Sequence, residues 1–317
     1  MSAAPTVEVL IPHHNRIDSL RATLDSLRRQ TAPASVCVVD NASTDGSREV
    51  LAAEYPEVRV VALERNYGFG AALNRGARES EADLLVLLNN DAVADERFVE
   101  RVRDRFAATG AEMVAACLRA PSGEVESLGV ELDRSLNPYD AAHGAAFEEL
   151  PGLRVEPLGP SGGAGGYARE AFAAVGGFDE RIFAYLEDAD LALRMRLAGM
   201  SCAVAPDAFV WHHHSATLGV RSAAKNELLA YARGYLHWRY GRSLSLGQRA
   251  RALATDAVVY AGKAVIDRDL GSVRGRLRLR REVRGAARPP RDPRFADLPL
   301  LELGWRESLA RRLARRR

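Results

Sequence analysis

At 317 residues, 47% hydrophobic and 27% charged, the chain has enough apolar content for a sizeable core, which excludes disorder throughout. Its three cysteines, Cys37, Cys117 and Cys202, are widely spaced, so neither a disulfide framework nor a paired-thiolate zinc site is expected, and a reducing cytosol fits best. The formal charge of +2 hides an asymmetry: from Arg268 onward 16 Arg stand against 6 acidic residues, leaving the rest net acidic.

The opening MSAAPTVEVLIP lacks the basic segment and apolar core of a signal peptide. No apolar run reaches the roughly 18 residues that span a bilayer. A cytoplasmic protein is therefore expected. The basic tail is either solvated or in contact with a polyanion, such as anionic lipid at the inner face of the plasma membrane.

VEVLIP, from Val7 to Pro12, reads as a strand, and Leu20, Leu24 and Leu27 then recur at helical spacing. SVCVVD, from Ser35 to Asp40, is a second strand ending in a carboxylate; Ser and Asp in the following ASTDGS can cap a helix through Tyr55. Val58 to Leu63 gives a third strand, after which NYGFGAALNRGA enters a helix. DLLVLLNNDAV is the fourth: a run apolar on both faces that stops at Asn89, Asn90 and Asp91. A helix over Glu96 to Thr109 and a strand over Glu112 to Ala116 continue the alternation. This pattern predicts an α/β fold with a mainly parallel central sheet flanked by helices. From Arg119 to Gly159 the pattern breaks, predicting an insertion of antiparallel strands beside the site. Regular structure resumes at Ser161, with a strand at Cys202 to Ala205 and a helix over Ala223 to Tyr240. The remainder forms a helical, Arg-rich extension with an amphipathic stretch over Leu253 to Ile266, set to pack on the body or dock at a membrane interface.

Ligands of open α/β sheets bind beyond the carboxyl ends of the strands, so Asp40 and Asp91 should share one rim. A hard divalent cation prefers oxygen ligands and commonly takes one or two carboxylates plus substrate phosphates, which suits Asp91, with Asn90 fixing the turn. Gly163, Gly165 and Ala168 match a dinucleotide fingerprint, with Glu187 about twenty residues on. The preceding LPGLRVEPLGP is no strand, so a dehydrogenase is set aside and the glycines are expected to admit a bulky ligand. In LEDADLALR, Asp190 and Arg194 are spaced for an ion pair, and Leu191, Met195 and Ala198 should face a core. Glu187 and Asp188 fall in the helix's first turn, where the dipole should keep a general base ionised. Of the consecutive His212, His213 and His214, one or two at most can face one site, where a neutral imidazole completes a metal's coordination.

VVDNASTDGS, ERNYGFGAALNRGA, LLNNDA, GGFDERIFAYLEDADLALR and VWHHHS occur in the order seen in glycosyltransferase family 2, and the set most resembles its bacterial rhamnosyltransferase branch. The resemblance covers roughly residues 7–240. It implies a GT-A type fold over 1–240, with a nucleotide-sugar half (1–117), an acceptor and catalytic half (118–240) and an extension (241–317). It further implies inverting transfer from a nucleoside diphosphate sugar with Mg or Mn. The first guess is L-rhamnose from dTDP-rhamnose, passed to a lipid-linked or polysaccharide acceptor in cell-envelope glycan synthesis; a UDP-sugar donor or a non-catalytic relative is the alternative. No nucleic-acid partner is implied. Carried over by position, Asp40 binds the base or ribose with Pro12, Asn15, Asn66, Gly70 and Asn90 around the donor. Asp91 holds the metal with His212, or His214 in reserve. Asp188 is the base beside Glu187. The family's Asp, any, Asp motif reads Asn89, Asn90, Asp91 here, with one acid.

Overall fold

The apolar runs of the first half form strands and the amphipathic segments between them form helices. The computed structural model describes residues 4–212 and 222–314. β1 (Val7–His13), α1 (Ile17–Leu27), β2 (Ser35–Asp40), α2 (Ser47–Glu54), β3 (Arg59–Ala62), α3 (Phe69–Arg78) and β4 (Leu84–Leu88) alternate as expected. β5 (Ala92–Ala94), α4 (Phe98–Thr109) and β6 (Met113–Arg119) follow. The irregular stretch holds the short strands β7 (Val125–Ser127), β8 (Val130–Leu132) and β9 (Pro138–Asp140). Then come β10 (Ala164–Ala168), α5 (Arg169–Ala174), α6 (Glu187–Leu197) and β11 (Cys202–His212). The helices α7 (Ala223–Tyr240), α8 (Leu246–Ile266), α9 (Gly271–Glu282) and α10 (Trp305–Ala314) complete the described chain.

The main sheet runs β3-β2-β1-β4-β10-β6-β11-β5, with β7 beside β6. β1, β2, β3 and β4 are parallel, as are β6 and β11. β6 does not sit directly beside β4: β10 lies between them, antiparallel to both. Its glycines make this insertion possible. A Cβ on Gly166 would lie 2.7 Å from the Phe106 ring and 2.9 Å from Val102, and one on Gly165 would collide with Pro160. These glycines admit neighbouring protein and not, as the sequence suggested, a bulky ligand. Gly166→Ala should overpack the contact with α4 and lower stability by about 1–3 kcal/mol, measured by urea unfolding. Unchanged stability would show that α4 yields freely.

Alternating residues divide the core between the sheet's two faces. Val9, Ile11, Val86 and Leu88 face Leu20 and Leu24 of α1 and Phe98 and Val102 of α4. Leu10, Leu85 and Leu87 pack with Leu73 of α3 and Leu191 and Met195 of α6. Ala198, expected in that core, is exposed because α6 has already ended at Leu197. Asp190 pairs with Arg194 at 2.8 Å and also accepts from the Tyr240 hydroxyl, which ties α6 to α7.

α8 begins earlier than the apolar pattern suggested because Ser245 and Gln248 form a capping box. The chain then returns to the 119–159 insertion. Phe295, Leu298 and Leu300 join Val130, Leu132 and Leu236 in one cluster, and Ser308 of α10 hydrogen-bonds Asp133 at 2.6 Å. Among the described residues, no helix is long and apolar enough to cross a membrane.

Candidate active site

The carboxyl ends of β1, β2 and β4 build one rim. His13, fully buried at the end of β1, is held neutral by burial, which lowers its pKa against the opposing charge of Asp40. Its Nδ1 lies 2.9 Å from the Asn90 amide and its Nε2 lies 2.8 Å from Ser47 Oγ. With Asn90 donating to Nδ1, the ring proton sits on Nε2 and is donated to Ser47, which donates onward to Asp45. Asp45 also accepts from the Ile17 amide and so caps α1, besides accepting from Ser47 at the start of α2. One loop residue thus aligns two helices with the rim.

Asp40 is buried, its oxygens bound by the Ser43 amide and the Arg48 guanidinium. Asn15, at φ 61°, accepts from the Thr44 amide at 2.9 Å, and its own amide donates to Ser43. Pro12 is half-buried on β1. Asn66 accepts from the Gly68 amide and from Asn41, which also accepts from the Tyr67 amide; Asn41 is a loop organiser that the motif reading did not single out. Gly70 lies against Phe178, where a Cβ would come within 2.6 Å.

Beyond β4, Asp91 Oδ1 meets His212 Nε2 at 3.1 Å, with the Asn89 amide 3.4 Å from the same nitrogen. On the ring's far side, Nδ1 lies 2.9 Å from Glu126 Oε2. Burial lowers the His212 pKa, but hydrogen bonds to Asp91 and Glu126 and their charges outweigh it and raise the pKa to about 9. Glu126 went unnoticed in the sequence because VES carries no metal motif. Among the described residues no three His, Cys, Asp or Glu side chains converge to hold a metal by themselves. Asp91 and His212 nevertheless bring one oxygen and one nitrogen within 3.1 Å of each other, a donor pair suited to Mn or Mg once the imidazole gives up its Nε2 proton. His213 and His214 lie outside the described residues.

Glu187 and Asp188 start α6 after Tyr185 and Leu186, both at positive φ. Asp188 Oδ2 accepts from the Gly162 amide at 2.9 Å and Oδ1 from the Ala189 amide at 2.7 Å. The next residue, Gly163, accepts from the Asn89 amide at 3.0 Å. Two consecutive residues therefore tie the Asp188 carboxylate to the loop that carries Asp91. The helix terminus does not keep this acidic pair at ordinary values. Burial raises the Asp188 pKa against those two amides, and burial with the charge of Asp188 pushes Glu187 up to about 8. Glu187 Oε2 is buried without a hydrogen-bond partner, so no contact stabilises its ionised form.

Because the folded pKa of Glu187 is raised, its stabilising contribution is complete below the unfolded value near 4.5 and is lost as pH rises through about 8. Glu187→Gln should remove that loss, giving a flatter stability profile from pH 5 to 9 in urea titrations. A profile parallel to that of the unaltered protein would contradict the burial argument.

The model of the glycosyl transferase family 2 domain matches residues 8–175. The chain belongs to glycosyl transferase family 2. The N-acetylglucosaminyl-diphospho-decaprenol L-rhamnosyltransferase of Mycobacterium tuberculosis is 31% identical over 213 residues, 59% of this chain and 69% of that protein. The O-antigen chain rhamnosyltransferase WbaN of Salmonella anatum is 25% identical over 67% of this chain and 68% of its own. A crystal structure of GalNAc-T7 with UDP, GalNAc and Mn2+ superposes with a TM-score of 0.63 at 15% identity, covering 88% of this chain and 54% of that one. The fold is of the GT-A type. The family 2 match includes Asp40, Asp91 and Glu126, whereas Asp188 and His212 come from the chain beyond it. The rim of this family 2 protein is thus completed by α6 and β11, which bring a carboxylate and an imidazole to the end of β4.

Proposed function

We propose that this protein is an inverting glycosyltransferase that moves a sugar, foremost L-rhamnose from dTDP-rhamnose, to a lipid-linked or polysaccharide acceptor of the cell envelope. The observation that carries this reading is the tie through Gly162 and Gly163, which sets one carboxylate, Asp188, beside the Asp91–His212 pair. Inversion needs this division: a base on the acceptor side and charge neutralisation on the leaving-group side. Residues 1–117 hold the donor, with Asp40, Pro12, Asn15, Asn66, Gly70 and Asn90 around the nucleotide. Residues 118–240 bring the acceptor and the base, and the extension from 241 contacts the anionic membrane surface peripherally. The identity of the first two relatives as rhamnosyltransferases supports the sugar.

Asp188 accepts the proton of an acceptor hydroxyl as its oxygen forms a bond to the anomeric carbon. The bond from that carbon to the diphosphate breaks, and the nucleoside diphosphate leaves with the electron pair. Asp91 and His212 would hold a Mg or Mn cation, which would supply charge neutralisation on the leaving diphosphate. Glu187, its pKa pushed up to about 8 by burial and by the charge of Asp188, keeps a proton in the pair and so spares the site a second buried charge.

Glu126 orients His212 through Nδ1 and directs Nε2 toward Asp91, an arrangement that typically contributes 10–100-fold to metal affinity. Glu126→Gln should weaken Mn binding by about that factor, measured by electron paramagnetic resonance of free Mn in the presence of dTDP. Equal affinity would remove Glu126 from the metal's support.

The test of function is product formation from dTDP-rhamnose and from UDP-sugars on an N-acetylglucosaminyl diphospho-lipid with Mn present. Transfer from UDP-sugars alone would overturn the rhamnosyl assignment, and absence of transfer from every donor despite nucleotide binding would overturn catalysis.

A further inference from the structure

A cleft of about 1050 Å³ opens between α7, α8 and α9, away from the sheet's rim but touching it at one point. Leu186, which immediately precedes the Glu187–Asp188 pair, forms part of its wall. Five lining residues are Lys or Arg and two are Asp. One of those acids, Asp269, is already engaged by Asn226 and the Gly271 amide. Beneath the cleft, Asp256 is shared by two guanidinium groups, those of Arg233 and Arg276.

Three cleft residues keep a buried polar atom with no hydrogen-bond partner: Arg233 Nη2, Tyr260 Oη and Ser272 Oγ. Each can donate a hydrogen bond. Arg233 is 2% exposed and its remaining nitrogens are fixed by Asp256 at 2.5 Å and the Leu136 carbonyl at 2.6 Å, so the guanidinium is immobilised with one edge unmet. Unmet buried donors are unfavourable unless a ligand or water supplies the acceptor.

The cleft's mouth has the opposite character. Ile266 and Leu270 line it while 74% and 56% exposed, and Val265 beside them is 78% exposed. An anion-binding floor under an apolar lip matches a molecule with a phosphorylated head and a hydrocarbon tail. We infer that the cleft between α7, α8 and α9 binds the diphosphate and first isoprenoid units of a lipid-linked acceptor. The assignment rests on the glycosyltransferase reading and names the element that would hold that reading's acceptor. Lys225, on the cleft wall, lies 5.5 Å above the Tyr185 ring, and Tyr185 and Leu186 lead directly into the base. The cleft wall at Leu186 is thus two residues before Asp188 in the chain.

The probe is farnesyl diphosphate, titrated calorimetrically into the full chain beside inorganic diphosphate, farnesol and phosphatidylglycerol vesicles. Farnesyl diphosphate should bind more tightly than either half-molecule. Tyr260→Phe and Ser272→Ala remove donors that have no protein partner, so both variants should fold as well as the parent and bind dTDP equally. Each should weaken farnesyl diphosphate by roughly tenfold, the worth of one hydrogen bond to a charged group. Equal affinity in parent and variants, or farnesol binding as tightly as its diphosphate, would overturn the site. Vesicles that displace farnesyl diphosphate completely would overturn it as an acceptor site in favour of bulk headgroups. Failure of the glycosyltransferase reading shows separately, as absent sugar transfer alongside intact, variant-sensitive lipid binding.

Discussion

Asp188→Asn is expected to cut turnover by about 10²–10⁴-fold, the usual worth of a general base, while dTDP still binds. The carboxylate accepts one amide at each oxygen, Gly162 at Oδ2 and Ala189 at Oδ1. An Asn side chain can accept at one oxygen only and turns its NH2 toward the other amide, so it loses the proton acceptor and one positioning contact together. Removal of a buried negative charge beside Glu187 works in the fold's favour, because that charge helps hold the Glu187 pKa up to about 8. Loss of rate with a preserved unfolding midpoint would therefore locate the effect in chemistry. The parent's acid limb is also diagnostic: with the Asp188 pKa raised by burial, kcat/KM should fall at a pH above the ordinary carboxylate range as the base is protonated. Initial rates and calorimetric dTDP titrations check both parts. Turnover within tenfold of the parent would place the base elsewhere.

The reason this site could be partly located in the sequence lies in how strands end. β2 and β4 are apolar runs that stop at polar residues, so Asp40 and Asp91 mark a rim before any contact is known. Contacts set by the fold's long-range geometry leave no such mark. Glu126 meets His212 across 86 residues, and nothing in VES distinguishes it from a solvated acid on a short strand. His13, one residue past the strand that the apolar pattern marks, carries no signal until Asn90, 77 residues away, gives it a partner. β10 was hidden for a different reason: its glycines have no side chains to alternate, and their purpose is visible only once Phe106 and Pro160 fill the vacated space. The acidic pair of α6 shows two effects in competition. A helix N-terminus favours a charged carboxylate by a few tenths to about 1 kcal/mol near the surface, whereas burial without a partner penalises it more heavily. Burial prevails at Glu187, whose Oε2 meets no donor. The extension's helices were legible, but their return to the insertion depended on Phe295 and Leu298 finding Val130 and Leu132.

Asp91→Asn should abolish metal-supported donor binding, because one acidic side chain here serves where the family's motif offers two. The pair's present state sets the expected signature. His212, raised to about 9 by Asp91 and Glu126, is protonated at neutral pH without a cation. Its stabilising contribution is complete below the ordinary value near 6.5 and is lost as pH rises through about 9. Replacing Asp91 removes one of the two carboxylates and should lower the His212 pKa, read as a move of its titration midpoint to lower pH in histidine NMR. The remaining imidazole is then a lone nitrogen donor, and Asn89, Asn90 and the new Asn supply only neutral oxygens. Dependence on Mn should shift beyond millimolar concentrations, with sugar transfer down by roughly 10²-fold or more because the leaving diphosphate loses its counter-charge. Chelation of the parent with EDTA should reproduce that loss, and added Mn should restore the parent but not the variant. Full activity in EDTA would remove the metal from the mechanism, and an Asp91→Asn protein rescued by micromolar Mn would assign the cation to other ligands.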